Sequence, residues 1–113
     1  MPKRAPKGHV VVLVTCGSRR EAGKIARRVV EQKLAACVNV LETPLHSTYR
    51  WKGKIEQARE FLLLMKTSRR RLNALRAEVQ RLHSYDLPEF IALPIVSGSP
   101  RYLAWLEDCL RPK

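Results

Sequence analysis

The stretch TYRWKGKIEQ (Thr48–Gln57) places two extended runs on either side of a single glycine, Gly53. It reads as the tip of a long β-hairpin, because glycine supplies the positive φ that a tight reversal needs. A two-residue turn at Lys52-Gly53 sets Trp51 opposite Lys54 and Tyr49 opposite Glu56, all on one face. Glu60 continues that face two pairs further along. Large rings at an exposed tip cost solubility, so Tyr49 and Trp51 are expected to pack against something or hold something.

Working outward, His9–Cys16 is a β-branched run and reads as the first strand. Ser18 with Glu21 three residues on forms a capping box. Ala22, Ile25, Ala26, Val29, Val30 and Leu34 then recur at helical spacing, predicting a helix that ends near Ala35 or Ala36. Cys37–Leu41 restarts a strand, Pro44 marks a bulge or an edge position, and the strand resumes over Ser47–Lys52. Lys54–Thr67 returns as the third strand. Thr67 or Ser68 is placed to cap a second helix striped by Leu72, Leu75, Val79 and Leu82. Glu89–Val96 reads as the fourth strand. Ser99 caps a closing helix with Pro100 at its first position and Leu103, Leu106 and Leu110 on one side. The order is β-α-β-β-α-β plus a C-terminal helix, an α+β, ferredoxin-like arrangement. Right-handed crossovers place both main helices on one face of its sheet.

The other sheet face is expected to be polar in a monomer, yet VVVLV (Val10–Val14), FLLLM (Phe61–Met65) and FIALPIV (Phe90–Val96) are apolar on both faces. Exposing all of that exceeds what monomers tolerate. The expectation is therefore an obligate homo-oligomer packed sheet to sheet, with the aromatic hairpin tip crossing to a neighbour.

The chain has 113 residues and a net charge of +12, which predicts one domain over residues 9–113 behind a disordered basic tail, residues 1–8. No apolar run approaches the roughly 18 residues that cross a bilayer, and HVVVLVT is too short for a secretory signal. Three cysteines without a CxxC fit a reducing compartment. Together these predict a cytoplasmic protein without a membrane partner. The positive charge suits a polyanion, but an arginine-rich solvated surface is the favoured reading, since the basic residues are scattered over helix faces with Glu between them. An RNA-recognition sheet needs stacking aromatics on its central strands; the first strand has none, so sequence-specific nucleic-acid binding is not expected.

No nucleophile–base pair or metalloenzyme spacing is present. Gly17 and Gly23 in GSRREAGK lack the spacing of a phosphate loop. The chain is expected not to be an enzyme and to require no cofactor.

Several segments together are similar to one family. LAACVNV after the first helix, YRWKGKIEQ at the hairpin, KTS ending the third strand, HSYDLPE before the fourth and YLAWL in the last helix resemble the CutA family, the divalent-cation tolerance proteins. The likeness runs from about His9 to Leu110. It implies a compact homotrimer related in architecture to the PII signalling proteins, with a role in tolerance of copper and other divalent ions and with copper(II) as a ligand. The family usually carries His-Pro-Tyr where this chain has His83-Ser84-Tyr85, so the loop loses the proline's rigidity.

Copper favours thiolate and imidazole. The candidate ligands are Cys16, Cys37 and His83, with His46 a further option. None stands at a local ligand spacing, so a site has to be assembled by the fold or between subunits. A lone Cys16 beside Gly17 excludes a two-cysteine Cu(I) loop. Cys37 also reads as a small buried hydrophobe, as does Cys109. His83 also reads as a partner of the helix C-terminal dipole. The hairpin row reads as an interface or as the wall of an intersubunit pocket shared by Trp51, Glu56, Lys66, Tyr85 and Glu89. Three functions follow: a copper-binding tolerance protein, a PII-like sensor of a small anion, or an assembly scaffold.

Overall fold

A computed structural model describes residues 7–112. Five strands form one antiparallel arrangement with three helices, an α+β fold. Strands β1 (His9–Cys16), β2 (Cys37–Val40), β4 (Lys54–Ser68) and β5 (Ile91–Pro94) lie in the order β2-β4-β1-β5, and β3 (Leu45–Trp51) pairs with the outer half of β4. The 15-residue β4 organises the sheet. Its inner half pairs with β1 and β2, and its outer half forms the hairpin.

The helices are α1 (Arg19–Glu31), α2 (Leu72–Leu82) and α3 (Pro100–Cys109). Val10, Val12, Val14 and Cys16 of β1 alternate toward one face of the sheet, joined by Leu63 and Met65 of β4. Ala22, Ile25 and Val29 of α1 and Leu75 and Val79 of α2 close over them, so both helices share that face. Each fully buried aliphatic side chain here contributes about 1.5–3 kcal/mol relative to exposure. Helix α3 packs separately, through Leu106 and Leu110 on Ala36, with Cys109 beside them as a small hydrophobe.

The opposite face carries Val11, Leu13, Leu62 and Leu64, half-buried, with Ile91 and Leu93 at 48% and 47% exposure. The register sets Leu13 beside both Leu64 and Ile91, and Val11 beside Leu93, so these side chains form one aliphatic patch.

Several expected boundaries move. Helix α1 stops at Glu31, several residues early, because Lys33 adopts a left-handed φ of 59°. The amide of Leu34 then donates to Val29 O at 2.9 Å and that of Lys33 to Val30 O at 3.0 Å, a Schellman closure made without the usual glycine. The strand around Pro44 is two strands with a break between them. Neither Thr67 nor Ser68 caps α2: Thr67 Oγ1 donates to Leu34 O at 2.6 Å, and a 3-10 turn at Arg69–Arg71 precedes the helix. Ser99 makes no side-chain cap, although Pro100 does open α3. Strand β5 is shorter than expected, pairing with β1 only over Ile91–Pro94.

The basic tail expected over residues 1–8 falls outside the described residues except for Lys7 and Gly8, where Gly8 O accepts from the Arg69 amide at 3.0 Å. Among the described residues, no helix is long and apolar enough to cross a membrane.

Candidate functional site

The end of β1, the start of α1 and the loop after α2 meet at one corner. Ser18 Oγ accepts from the Glu21 amide at 3.1 Å and starts α1. Glu21 itself does not close the capping box. Its carboxylate reaches across to the loop, where Oε1 accepts from the Ser84 amide at 2.7 Å and Oε2 from the Ser84 hydroxyl at 3.1 Å. A proline at that position would have no N–H to give, so the bond to Glu21 depends on the serine at residue 84.

His83 caps the end of α2 and is 8% exposed. The Tyr85 amide donates to its Nδ1 at 3.0 Å, so the ring proton sits on Nε2, which donates to Thr15 O at 2.7 Å. Cys16 Sγ lies 3.6 Å from the same nitrogen. Cys16 is fully buried. Burial pushes its thiol up to about 12, with the charges of Glu21 and Glu60 adding to the effect. Among the described residues, Cys16, Glu21 and His83 form the one group of three metal-type donors, all within 4.8 Å of one another.

This corner therefore combines sulfur, imidazole nitrogen and carboxylate oxygen, a donor set suited to copper or zinc. Each donor is already engaged, however. The thiol is protonated, both imidazole nitrogens are bonded and both Glu21 oxygens accept from Ser84. Cys37, expected as a ligand, stands elsewhere. It sits half-buried on β2 opposite Lys66, its Sγ 3.9 Å from Asn39 Oδ1. His46 is exposed on β3. His9 Nε2 approaches Glu107 Oε1 at 3.4 Å, away from this corner.

On the other side of Tyr85 a cleft of about 680 Å³ opens between the hairpin and the 84–90 loop. The hairpin has the expected register, Trp51 opposite Lys54 and Tyr49 opposite Glu56. Its turn at Lys52-Gly53 has positive φ at both positions, 50° and 80°. Tyr49, Trp51 and Tyr85 supply aromatic walls and Glu60, Asp86 and Glu89 supply carboxylates. Thr15, Ser47 and Thr48 complete the polar edge, with Leu87 and Pro88 on the apolar side.

The Tyr85 ring stacks tilted on His83, centroids 4.6 Å apart, and its hydroxyl donates to Glu60 Oε2 at 3.1 Å. That hydroxyl fits because residue 17 is glycine: a Cβ there would lie 3.1 Å from it. Burial, the bond to Glu60 and the Glu60 charge raise Tyr85 to about 12. Partial desolvation and the neighbouring Glu60 charge raise the Glu89 carboxyl.

Of the hairpin residues expected at a pocket, Lys54, Glu56 and Lys66 do not line this cleft. Lys66 is six residues from Glu60, about 20 Å along an extended strand, where its ammonium bonds Asn39. Among the described residues no Lys or Arg lines the cleft, which runs against a small anion as its ligand. Thr15 and Asp86 line it without having been singled out by the sequence, and Glu21 was read only as part of a cap.

The model of the family described as CutA1 divalent ion tolerance protein matches residues 10–109. The chain belongs to this family. It is 44% identical over 102 residues to Protein CutA, chloroplastic, of Arabidopsis thaliana, covering 90% of this chain and 56% of that one. It is 45% identical over 98 residues to the divalent-cation tolerance protein CutA of Thermus thermophilus, covering 87% and 94%. The structure of the periplasmic divalent cation tolerance protein CutA from Archaeoglobus fulgidus superposes with a TM-score of 0.88 at 40% identity, over 91% of this chain and 99% of that one. This chain thus spans about half of the plant relative and nearly all of the two prokaryotic ones.

The expected cytoplasmic location does not survive these comparisons, since CutA relatives are named chloroplastic and periplasmic. Cys16 is buried and Cys37 and Cys109 are half-buried, each as a free thiol, and thiols so placed carry little information about the surrounding redox poise.

Proposed function

We propose that this chain serves divalent-cation tolerance as a non-enzymatic homotrimer of ferredoxin-like, PII-like subunits that takes up copper or a similar divalent ion at Cys16, Glu21 and His83. The observation that carries the reading is the convergence of these three donors within 4.8 Å. The same geometry makes the uptake weak. A metal has to displace the Cys16 proton and the His83 bond to Thr15 O, so affinity rises with pH. The aliphatic patch of Val11, Leu13, Leu62, Leu64, Ile91 and Leu93 supports the assembly, because a second and third copy would cover it.

Native mass spectra with a small excess of Cu(II) test both parts. The expected species is a trimer carrying a defined number of ions, lost in Cys16→Ser and His83→Ala, weakened in Glu21→Gln and unchanged in Cys37→Ser. A graded ladder of adducts that all four variants share overturns the site. A monomeric parent chain overturns the assembly.

A further inference from the structure

We infer that the cleft between the β3–β4 hairpin and the 84–90 loop is a binding site for a small organic cation, an alkylammonium ion held by Glu60 with its carbon body against Tyr49, Trp51 and Tyr85. The inference does not rest on the metal reading and uses none of its three ligands.

Charge is the first argument. The chain carries +12, yet Glu60, Asp86 and Glu89 gather at this one cleft without a Lys or Arg in its described lining. A local reversal of sign inside a positive field attracts a ligand of the opposite charge to the rest of the surface.

Glu60 itself points the same way. It is 8% exposed, and among the described residues its hydrogen bond comes from the Tyr85 hydroxyl alone, on Oε2. It belongs to no ion pair among those residues, whereas Glu31, Glu78, Glu107 and Asp108 all do. A carboxylate this buried without a countercharge is costly. A cation entering the cleft removes that cost, and its ammonium protons match the open oxygen of Glu60.

Shape and lining decide the kind of cation. The cleft, about 680 Å³, falls in the range of roughly 300–1,000 Å³ typical of small-molecule sites. Its carboxylates do not form a trio of the kind Cys16, Glu21 and His83 make, so they do not converge as the first shell of a bare metal ion would require. Three aromatic residues line it instead, and aromatic rings attract ammonium groups. The Trp51 ring already accepts a cation in this way, with Lys52 Nζ 6.0 Å from its centroid. Leu87 and Pro88 give the carbon chain an apolar wall.

The test uses the full chain carrying Trp105→Phe, which leaves Trp51 as its one tryptophan. Titration with n-butylammonium is expected to change the Trp51 fluorescence saturably, while n-butanol and butyrate, of the same shape but neutral or anionic, leave it unchanged. Glu60→Gln weakens n-butylammonium by about tenfold or more, as loss of one charge-assisted contact implies. Glu89→Gln weakens it too and serves as the second variant should Glu60→Gln disturb the hairpin. Glu78→Gln, in α2 and outside the cleft lining, leaves it unchanged. A flat response of the parent chain to n-butylammonium, equal binding of butanol, or parent-like affinity in both cleft variants overturns the inference. A cleft filled by a lysine or arginine of a second copy gives the flat response.

Discussion

Two polar sites lie on either side of Tyr85, and they are opposites. At the closed corner, Cys16, Glu21 and His83 satisfy one another and the nearby backbone almost completely. At the open cleft, Glu60 and Glu89 line a cavity, Glu60 takes one bond from the Tyr85 hydroxyl, and no countercharge stands in the lining among the described residues. The corner has the better metal-donor chemistry and the cleft has the better vacancy. Donor type alone is thus a poor guide to where a ligand goes; the hydrogen bonds a ligand must displace count as much.

This contrast predicts opposite responses to mutation. The largest effect belongs to His83→Ala. It strands Thr15 O and the Tyr85 amide and leaves a cavity beneath the ring, so urea denaturation at fixed protein concentration should show a loss of about 2–4 kcal/mol. A loss of well under 1 kcal/mol would mean that water replaces the ring and the corner is not closed. Glu21→Ala is next, because it removes both bonds to Ser84 and the acidic group in the first turn of α1. The same assay should register about 1–2 kcal/mol.

The alkaline limb comes third. Cys16 stays protonated in the fold to about 12, whereas in the unfolded chain it ionises from its ordinary value of 9.0. The folded state holds more protons across that window, so stability falls as pH rises through it. Cys16→Ala should flatten the fall between pH 9 and 12, and Tyr85, raised for similar reasons from 10.0 to about 12, should account for part of the remainder. The smallest effect is expected in the cleft. Glu60→Gln keeps an acceptor for Tyr85 while deleting an uncompensated charge, so stability should change by no more than about 0.5 kcal/mol, or rise. A cost above 2 kcal/mol would show that Glu60 is structural and erase the contrast.

Much of this arrangement is legible in the sequence, and the failures have physical causes. The hairpin register follows from the Lys52-Gly53 turn, since pairing has a period of two and the turn fixes its phase. The two-faced apolar strands mark the sheet and its uncovered side. The end of α1 is hidden because Lys33 takes the left-handed conformation that glycine normally announces. Cys37 stands at the start of β2 with Val38 and Val40 pointing to the core, so pleating turns its thiol to the face opposite Cys16. Lys66 stands about 20 Å along β4 from Glu60, so a single chain does not bring it to the cleft. Glu21 was hidden by its own plausibility as a capping-box residue. The one available signal was Ser84, an amide donor where the resemblance led to the expectation of proline. Thr15 and Asp86 carry no periodic signal and enter the cleft only through tertiary placement.

The central claim is that the corner is saturated, so that a metal can enter only by expelling a proton. Calorimetric titration of the chain with Zn(II) at pH 8, repeated in two buffers of different ionisation enthalpy, tests it most directly. One proton released per ion bound, with the release absent in Cys16→Ser, is the predicted result. Binding that releases no proton in the parent chain would contradict the account and place the metal elsewhere.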